Sequence, residues 1–427
     1  ELLGRHGLPP VAEGPFDLRA MVDSTGDRVK IEVDGDIGNL DLAIKGDIDK
    51  LLQPGSGYAE TRASGPNLRA LGEALGVKGL VPDPFEWAAD FALRDGILEV
   101  DNARLSTHLD ELTVSGNLST EAGMPNSNIV LALKSAEISR WGPLFGKSWN
   151  EQGAIDLDVI ANTDPGGVLS IDGSLMQGVS TLQMKGEVGP LSGPYDPDME
   201  FEFSSTEMPR LASLFDQPGL PGGQFNLKGH INKTGSELQL DDIEMSLNRH
   251  QAMIGGRVVL ERNFGGSDLD IHIEIPDLAE FGLLFNRPNL PAESMVLNAR
   301  LQPEGEGLAF QVSKTEVGDI RLKLDGKIAD IKNPIGIDAD FDIRFPNEEI
   351  LYLVTPKLKY PSGPLSIQGS LVHDTDITKV REVQATLGEN AVDVDGTVTH
   401  EGKFELDVAV RGPNAGEWES LIGTHPG

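Results

Sequence analysis

The chain contains no cysteine. Disulfides, thiolate metal centres, iron–sulfur clusters and cysteine nucleophiles are therefore excluded. Aromatic residues make up only 5% of it, and Trp87, Trp141, Trp149 and Trp418 are scattered, which gives no repeated platform for stacking a sugar or a base. No apolar run approaches the ~18 residues of a spanning helix; one of the longest is Ile350 to Val354. Basic residues are few. Lys plus Arg number 35 against 68 Asp plus Glu, a formal charge of −33. So acidic a chain repels phosphate backbones, and nucleic acid is not an expected partner.

Glycine is abundant, at 50 of 427 residues, with 27 prolines. Hydrophobic residues reach 39%, too many for an acidic disordered chain. Together these predict a turn-rich, β-dominated protein with ample length for a large core.

The glycines carry a period. Gly46, Gly116, Gly186, Gly256, Gly326 and Gly396 are spaced by 70 residues throughout. Four residues before them stand Leu42, Leu112, Leu182, Ala252, Leu322 and Val392. Two before stand Ile44, Val114, Met184, Ile254, Leu324 and Val394, and two after stand Ile48, Leu118, Val188, Val258, Ile328 and Val398. The residue directly after each glycine is polar. This period-two pattern in six copies reads as a strand with one apolar and one wet face.

A second anchor opens each unit: Gly14-Pro15-Phe16, Asp83-Pro84-Phe85, Gly153-Ala154-Ile155, Gly223-Gln224-Phe225, Glu293-Ser294-Met295 and Gly363-Pro364-Leu365. The units are therefore residues 14–82, 83–152, 153–222, 223–292, 293–362 and 363–427. Residues 1–13 read as the tail of a preceding unit, because Leu2 to Pro9 resembles Leu283 to Pro291.

Each unit reads as about four antiparallel strands and one short helix. In the second unit, Trp87, Ala89, Phe91 and Leu93 alternate in strand one. Leu98 and Val100 begin strand two, and Leu105 continues it after a shift of parity. Strand three runs through Gly116, and Ile129, Leu131 and Leu133 mark strand four. Asp95-Gly96, Gly123 and Pro125-Asn126 supply turns. The helix copies begin at Pro66, Ala136, Pro209 and Pro276, with less regular ones at Pro346 and Pro413.

A unit of four ~10-residue strands, wet on one face, cannot close its own core, so neighbouring units must share one sheet. The expected fold is mainly β: an elongated array of six ~70-residue units whose continuous, curled sheet carries an apolar groove. Six short helices are too few to cover that face. The positions expected to line the groove are Leu42, Ile44, Ile48, Leu112, Val114, Leu118, Leu182, Met184, Val188, Ile254, Val258, Leu322, Leu324, Ile328, Val392, Val394 and Val398. The other reading of these residues is a dry core under the helices. The anchor glycines leave room for an acyl chain or permit sharp curvature on one reading, and mark a bulge or tight strand contact on the other.

Catalytic constellations are not found, and an enzyme is not expected. The eight histidines form no His-x-x-x-His or His-Glu-x-x-His pair. His272 alternates with Asp270 and Glu274, and Asp198, Glu200 and Glu202 share a face; both read as solvated strand faces rather than metal sites. Asp393-Val394-Asp395-Gly396 opens like a calcium loop but lacks the downstream ligands. No metal or cofactor is expected.

The Gly-Pro-Phe-x-Leu opening (Gly14 to Leu18), the strand around each anchor glycine and the Pro-Asp-Leu-x-x-Phe helix with its Leu-Pro exit (Pro276 to Pro291) resemble the AsmA-like family, within the repeating β-groove, bridge-like lipid transfer proteins. The resemblance covers all six units. It implies the periplasm of a Gram-negative bacterium, an inner-membrane anchor outside this sequence, and a role in moving phospholipid toward the outer membrane or in outer-membrane biogenesis. The implied partners are phospholipids or other acyl lipids, with membrane contact through segments outside this chain; no protein partner is indicated. The alternatives are a structural β-repeat spacer or adhesin-like stalk that binds no lipid, and a glycan-binding repeat protein, which the scarcity of aromatics disfavours.

Overall fold

A computed structural model describes residues 15–49, 55–146, 153–191, 193, 195–207, 222–260, 266–285, 287, 290–305, 307–330, 335–346, 363–399 and 401–413. Strands take 70% of it and helices 6%, so the fold is mainly β. Its 24 strands belong to one antiparallel sheet that does not close into a barrel. The chain divides into two compact units, Glu1–Leu227 and Lys228–Gly427.

In the first unit the strands are β1 (Phe16–Thr25), β2 (Arg28–Ile37), β3 (Leu40–Asp49), β4 (Ser56–Gly65), β5 (Phe85–Arg94), β6 (Ile97–Thr107), β7 (Asp110–Ser119), β8 (Asn128–Ser135), β9 (Ile155–Thr163), β10 (Val168–Gln177), β11 (Ser180–Pro190) and β12 (Asp198–Ser205). Each pairs antiparallel with the next in sequence. Four strands per 70-residue repeat follow directly from four alternating segments separated by turn residues. At the β5–β6 hairpin, Asp95 (φ 50°) and Gly96 (φ 77°) both take the left-handed backbone that a two-residue turn matched to strand twist requires.

The second unit continues the pattern. β13 (Phe225–Thr234) straddles the division, and β14 (Glu237–Leu247), β15 (His250–Val259), β16 (Asp268–Ile275), β17 (Met295–Glu304), β18 (Gly307–Val317), β19 (Ile320–Asp330), β20 (Ile335–Phe345), β21 (Leu365–His373), β22 (Ile377–Leu387), β23 (Asn390–Thr399) and β24 (Phe404–Arg411) follow. From β14 onward each again pairs with its successor.

The parity shift in strand two is a β-bulge. The register slips between Val100 and Ala103, Leu240 and Ile243, Val312 and Thr315, and Val380 and Val383. Asn102, Asp242 and Glu382 sit in the slip with φ of 52°, 50° and 50°. The extra residue returns Leu105 to the face of Val100. Strand one makes room for it with a small residue: Ala89, Gly229, Ala299 or Gly369. A side chain on Gly229 or Gly369 would meet the backbone of Ile243 or Val383. The third repeat has Val159 there, and β10 runs past it without a slip.

Two expected helices form as α1 (Leu68–Ala74) and α2 (Leu278–Leu284). Their prolines are not in the first turn. Pro66 and Pro276 stand just outside, and the caps are Asn67, which accepts from the Ala70 amide, and Asp277, which accepts from the Ala279 and Glu280 amides. A short polar side chain in extended conformation satisfies amides that proline would leave unpaired. The copy at Ala136 is a 3-10 helix, Ile138–Phe145, containing Pro143; a proline there cannot donate the α-helical bond. The segments beginning at Pro209, Pro346 and Pro413, and the tail 1–13, lie wholly or mainly outside the described residues.

Buried apolar side chains gather where these helices meet the strand ends. Leu68 of α1 packs with Leu40, Val81 and Phe85, flanked by Leu71, Leu80 and Trp87. A smaller cluster, Ala89, Val100 and Ala103, surrounds the bulge.

Candidate functional site

Within each of the two units the registers place the expected lining positions on one face of the strands. Leu42 opposes Ala63, which opposes Trp87, which opposes Leu105; the row continues through Leu112 and Leu133. It runs on through Leu157, Leu175 and Leu182 to Phe203. A neighbouring row contains Ile44, Thr61, Ala89, Ala103, Val114 and Leu131. Twelve strands at ~4.8 Å spacing make such a row about 53 Å long. In the second unit the same alignment joins Leu322 to Ile343, Ile367, Ala385 and Val392.

Burial separates the middle of this face from its edge. Leu42, Ile44, Ile48, Leu112, Val114, Leu118, Leu182, Val188, Ile254, Val258, Leu322, Leu324, Ile328, Val392, Val394 and Val398 are all half-buried, and Met184 is 38% exposed. Leu40, Leu68, Phe85, Ile138, Trp141 and Ile275, at the helix-bearing edge, are buried. The described helices therefore seal one rim and leave mid-sheet apolar surface in contact with solvent.

The anchor glycines are points of close strand approach. A Cβ on Gly46 would lie 2.9 Å from the Tyr58 carbonyl oxygen. On Gly116, Gly186, Gly256, Gly326 and Gly396 it would collide with the carbonyl oxygens of Asn128, Asp198, Asp268, Asp338 and Glu405. These acceptors all lie on the strand-four side of the pair. Gly116 (φ 132°) and Gly256 (φ 121°) also occupy backbone that a side chain strains.

One set of rim positions escaped the sequence reading although the same period contains it. Six residues before each anchor stand Leu40, Asp110, Ser180, His250, Ile320 and Asn390. All but half-buried Ile320 are buried. Leu40 joins the apolar cluster under α1. Asp110 accepts from Thr107 (2.9 Å), Trp141 (3.2 Å), Ser135 and Arg140 (3.1 Å). Ser180 meets Ser205 at 2.7 Å. His250 faces Phe281 of α2 edge-on at 5.2 Å, and among the described residues neither ring nitrogen has a hydrogen-bond partner. Burial pushes the His250 pKa down. Burial also lowers that of Arg140, which pairs with Asp83 as well as Asp110.

Other acidic residues line the wet face. Asp36 and Asp41 stand opposite each other, and their hydrogen bond and mutual repulsion raise the Asp36 pKa. They border a hollow of about 600 Å³ that also touches Asp34, Arg62, Glu86 and Arg104. The sequence reading did not single out this cluster. His272 bonds Asn298 (2.6 Å) and Glu274 (3.0 Å), which raises its pKa by stabilising the imidazolium. Asp198, Glu200 and Glu202 oppose Glu187, Lys185 and Gln183. Asp393 is paired with Arg411. Among the described residues, no group of three or more acidic or histidine side chains is arranged to hold a metal ion. Among the described residues, no helix is long and apolar enough to cross a membrane.

Comparison of the chain with family models, curated proteins and solved structures gives no match.

Proposed function

We propose that the apolar face holds the acyl chains of lipids and shields them from water. The observation that supports this reading is the run of half-exposed Leu, Ile, Val and Phe across consecutive strands, while buried packing is concentrated at the helix rim. An acyl tail of ~14–16 methylenes gains about 0.8 kcal/mol for each one taken out of water. Tails laid along the rows leave headgroups in solvent, so movement needs no step in which a whole tail is stranded. The mechanism is passive and uses no bond-making residue. The acidic opposite face keeps the array hydrated.

The resemblance to AsmA-like proteins extends the proposal to a setting: a periplasmic segment of an inner-membrane-anchored protein that carries phospholipid between the membranes of a Gram-negative bacterium. Native mass spectrometry with lipid extraction, on protein purified from bacteria, tests the central claim. Several co-purified phospholipids per chain support it. A lipid-free protein overturns it and leaves the structural spacer.

A further inference from the structure

His250 occupies a slot from which the polar partners have been removed. At the same place in the second repeat, Asp110 accepts from Thr107, Ser135, Arg140 and Trp141. The residues 140 positions further on, around His250, are Leu247, Ile275, Glu280 and Phe281. Three of the four donors are thus replaced by apolar side chains. Leu247 and Ile275 are buried, and Phe281 meets the ring edge-on. The histidine is 3% exposed, and among the described residues neither ring nitrogen has a hydrogen-bond partner.

Three charged groups act on the ring. Arg249 precedes it in the turn between β14 and β15, and Asp277 and Glu280 belong to the cap and first turn of α2. Both carboxylates are engaged by Arg249, whose guanidinium stands 3.1 Å from Asp277 and 2.6 Å from Glu280. A neutral imidazole suits this slot. An imidazolium does not, because a buried charge needs a partner and Arg249 adds a like charge beside it. Burial is the largest influence on the ring and outweighs the pull of Glu280 and Asp277 toward protonation.

The same slot joins α2 to the sheet. The helix has only seven residues, too few to persist in water without packing. It meets the start of β15 through Phe281 on His250 and through Asp277 and Glu280 on Arg249. We infer that α2 is an acid-released cover on the rim of the fourth repeat: a proton taken up by His250 drives the ring from its slot and frees α2 from the sheet edge, uncovering Leu247 and Ile275. The released ring binds its proton at the ordinary 6.5 and the docked ring only below it, so release grows as pH falls through that interval. The second repeat lacks this device, because Asp110 has Arg140 as a standing cation. The inference holds whether or not the apolar face carries lipid.

Amide exchange on the full chain, corrected for the intrinsic effect of pH, tests it. Protection from Leu278 to Phe285 should fall several-fold as the pH is lowered from about 7.5 to about 5. Protection from Ile138 to Phe145 should stay. His250→Leu, which copies Leu40 of the first repeat, should abolish the pH dependence at α2. His250→Phe keeps an aromatic ring against Phe281 and gives the same readout if the leucine variant does not fold. Protection of α2 that is unchanged at the lower pH would overturn the inference. So would protection that rises, which would show the ring taking Glu280 from Arg249. An equal loss in both helices, or the same loss in a variant without the histidine, would overturn it as well.

Discussion

Arg140, in the 3-10 helix after β8, places its guanidinium 3.1 Å from the carboxylate of Asp110 at the start of β7. The pair ties the helix rim to the sheet where the first repeat packs Leu40 against Leu68 and carries Ala70 at the position of the arginine. Removing Asp110 leaves Arg140 paired with Asp83 but takes the acceptor from Thr107, Ser135 and Trp141, which costs about 1–3 kcal/mol. Asp110→Ala should therefore lower stability in urea unfolding by about that amount. Asp110→Leu combined with Arg140→Ala, which copies the first repeat, should recover most of it. Equal loss in the single and double variants would contradict this account of the rim.

Anchor glycines should differ in their tolerance of a methyl group. Gly116→Ala meets both the Asn128 carbonyl and a strained φ of 132°, whereas Gly46→Ala meets the Tyr58 carbonyl at 2.9 Å without that strain. Backbone strain alone costs roughly 1–3 kcal/mol. Amide exchange across β7 and β8 should accelerate strongly in Gly116→Ala. The response of β3 and β4 to Gly46→Ala should be smaller. The reverse order would show that glycine serves some purpose other than close approach.

Val114 lies mid-face between Ala103 and Leu131 and is half-buried. Val114→Asp should reduce lipid occupancy measured by extraction while unfolding stays cooperative, because water already reaches the site. A variant that loses its cooperative transition would indicate a sealed core instead.

Two histidines on neighbouring strands should respond to pH in opposite directions. The His250 pKa is lowered by burial. The unfolded chain then binds more protons than the folded one, so the His250 contribution is lost as pH falls below the ordinary 6.5 and through the folded value. The His272 pKa is raised by its bonds to Asn298 and Glu274. Its contribution is full below 6.5 and lost as pH rises through the folded value. Imidazole resonances followed by NMR should titrate below 6.5 for His250 and above it for His272. His250→Leu should flatten the acid limb of the stability curve. Titration of both rings at the ordinary value would remove the basis for either effect.

Much of this molecule was legible in its sequence. The six glycines at constant spacing, with apolar residues two and four positions away, determined the strand containing them and its wet and apolar faces, because side chains alternate along any strand. The jump from Val100 to Leu105 marked a shift of parity in strand two, and the register of β6 against β7 showed that a bulge causes it. The caps Asn67 and Asp277 were visible as residues, but the prolines beside them were given the helix-starting role that the caps fill.

The tertiary structure decided what lies across from what. Whether Gly116 meets a ligand, a bend or a neighbouring carbonyl depends on the register of β7 against β8, which joins residues distant in sequence. The same holds at the rim. Leu40, Asp110, Ser180 and His250 share one position in the repeat, yet their burial follows from the strands and helices packed over them. Periodicity fixes the direction of a side chain; only the assembled sheet fixes which neighbours it finds and how much water remains around it.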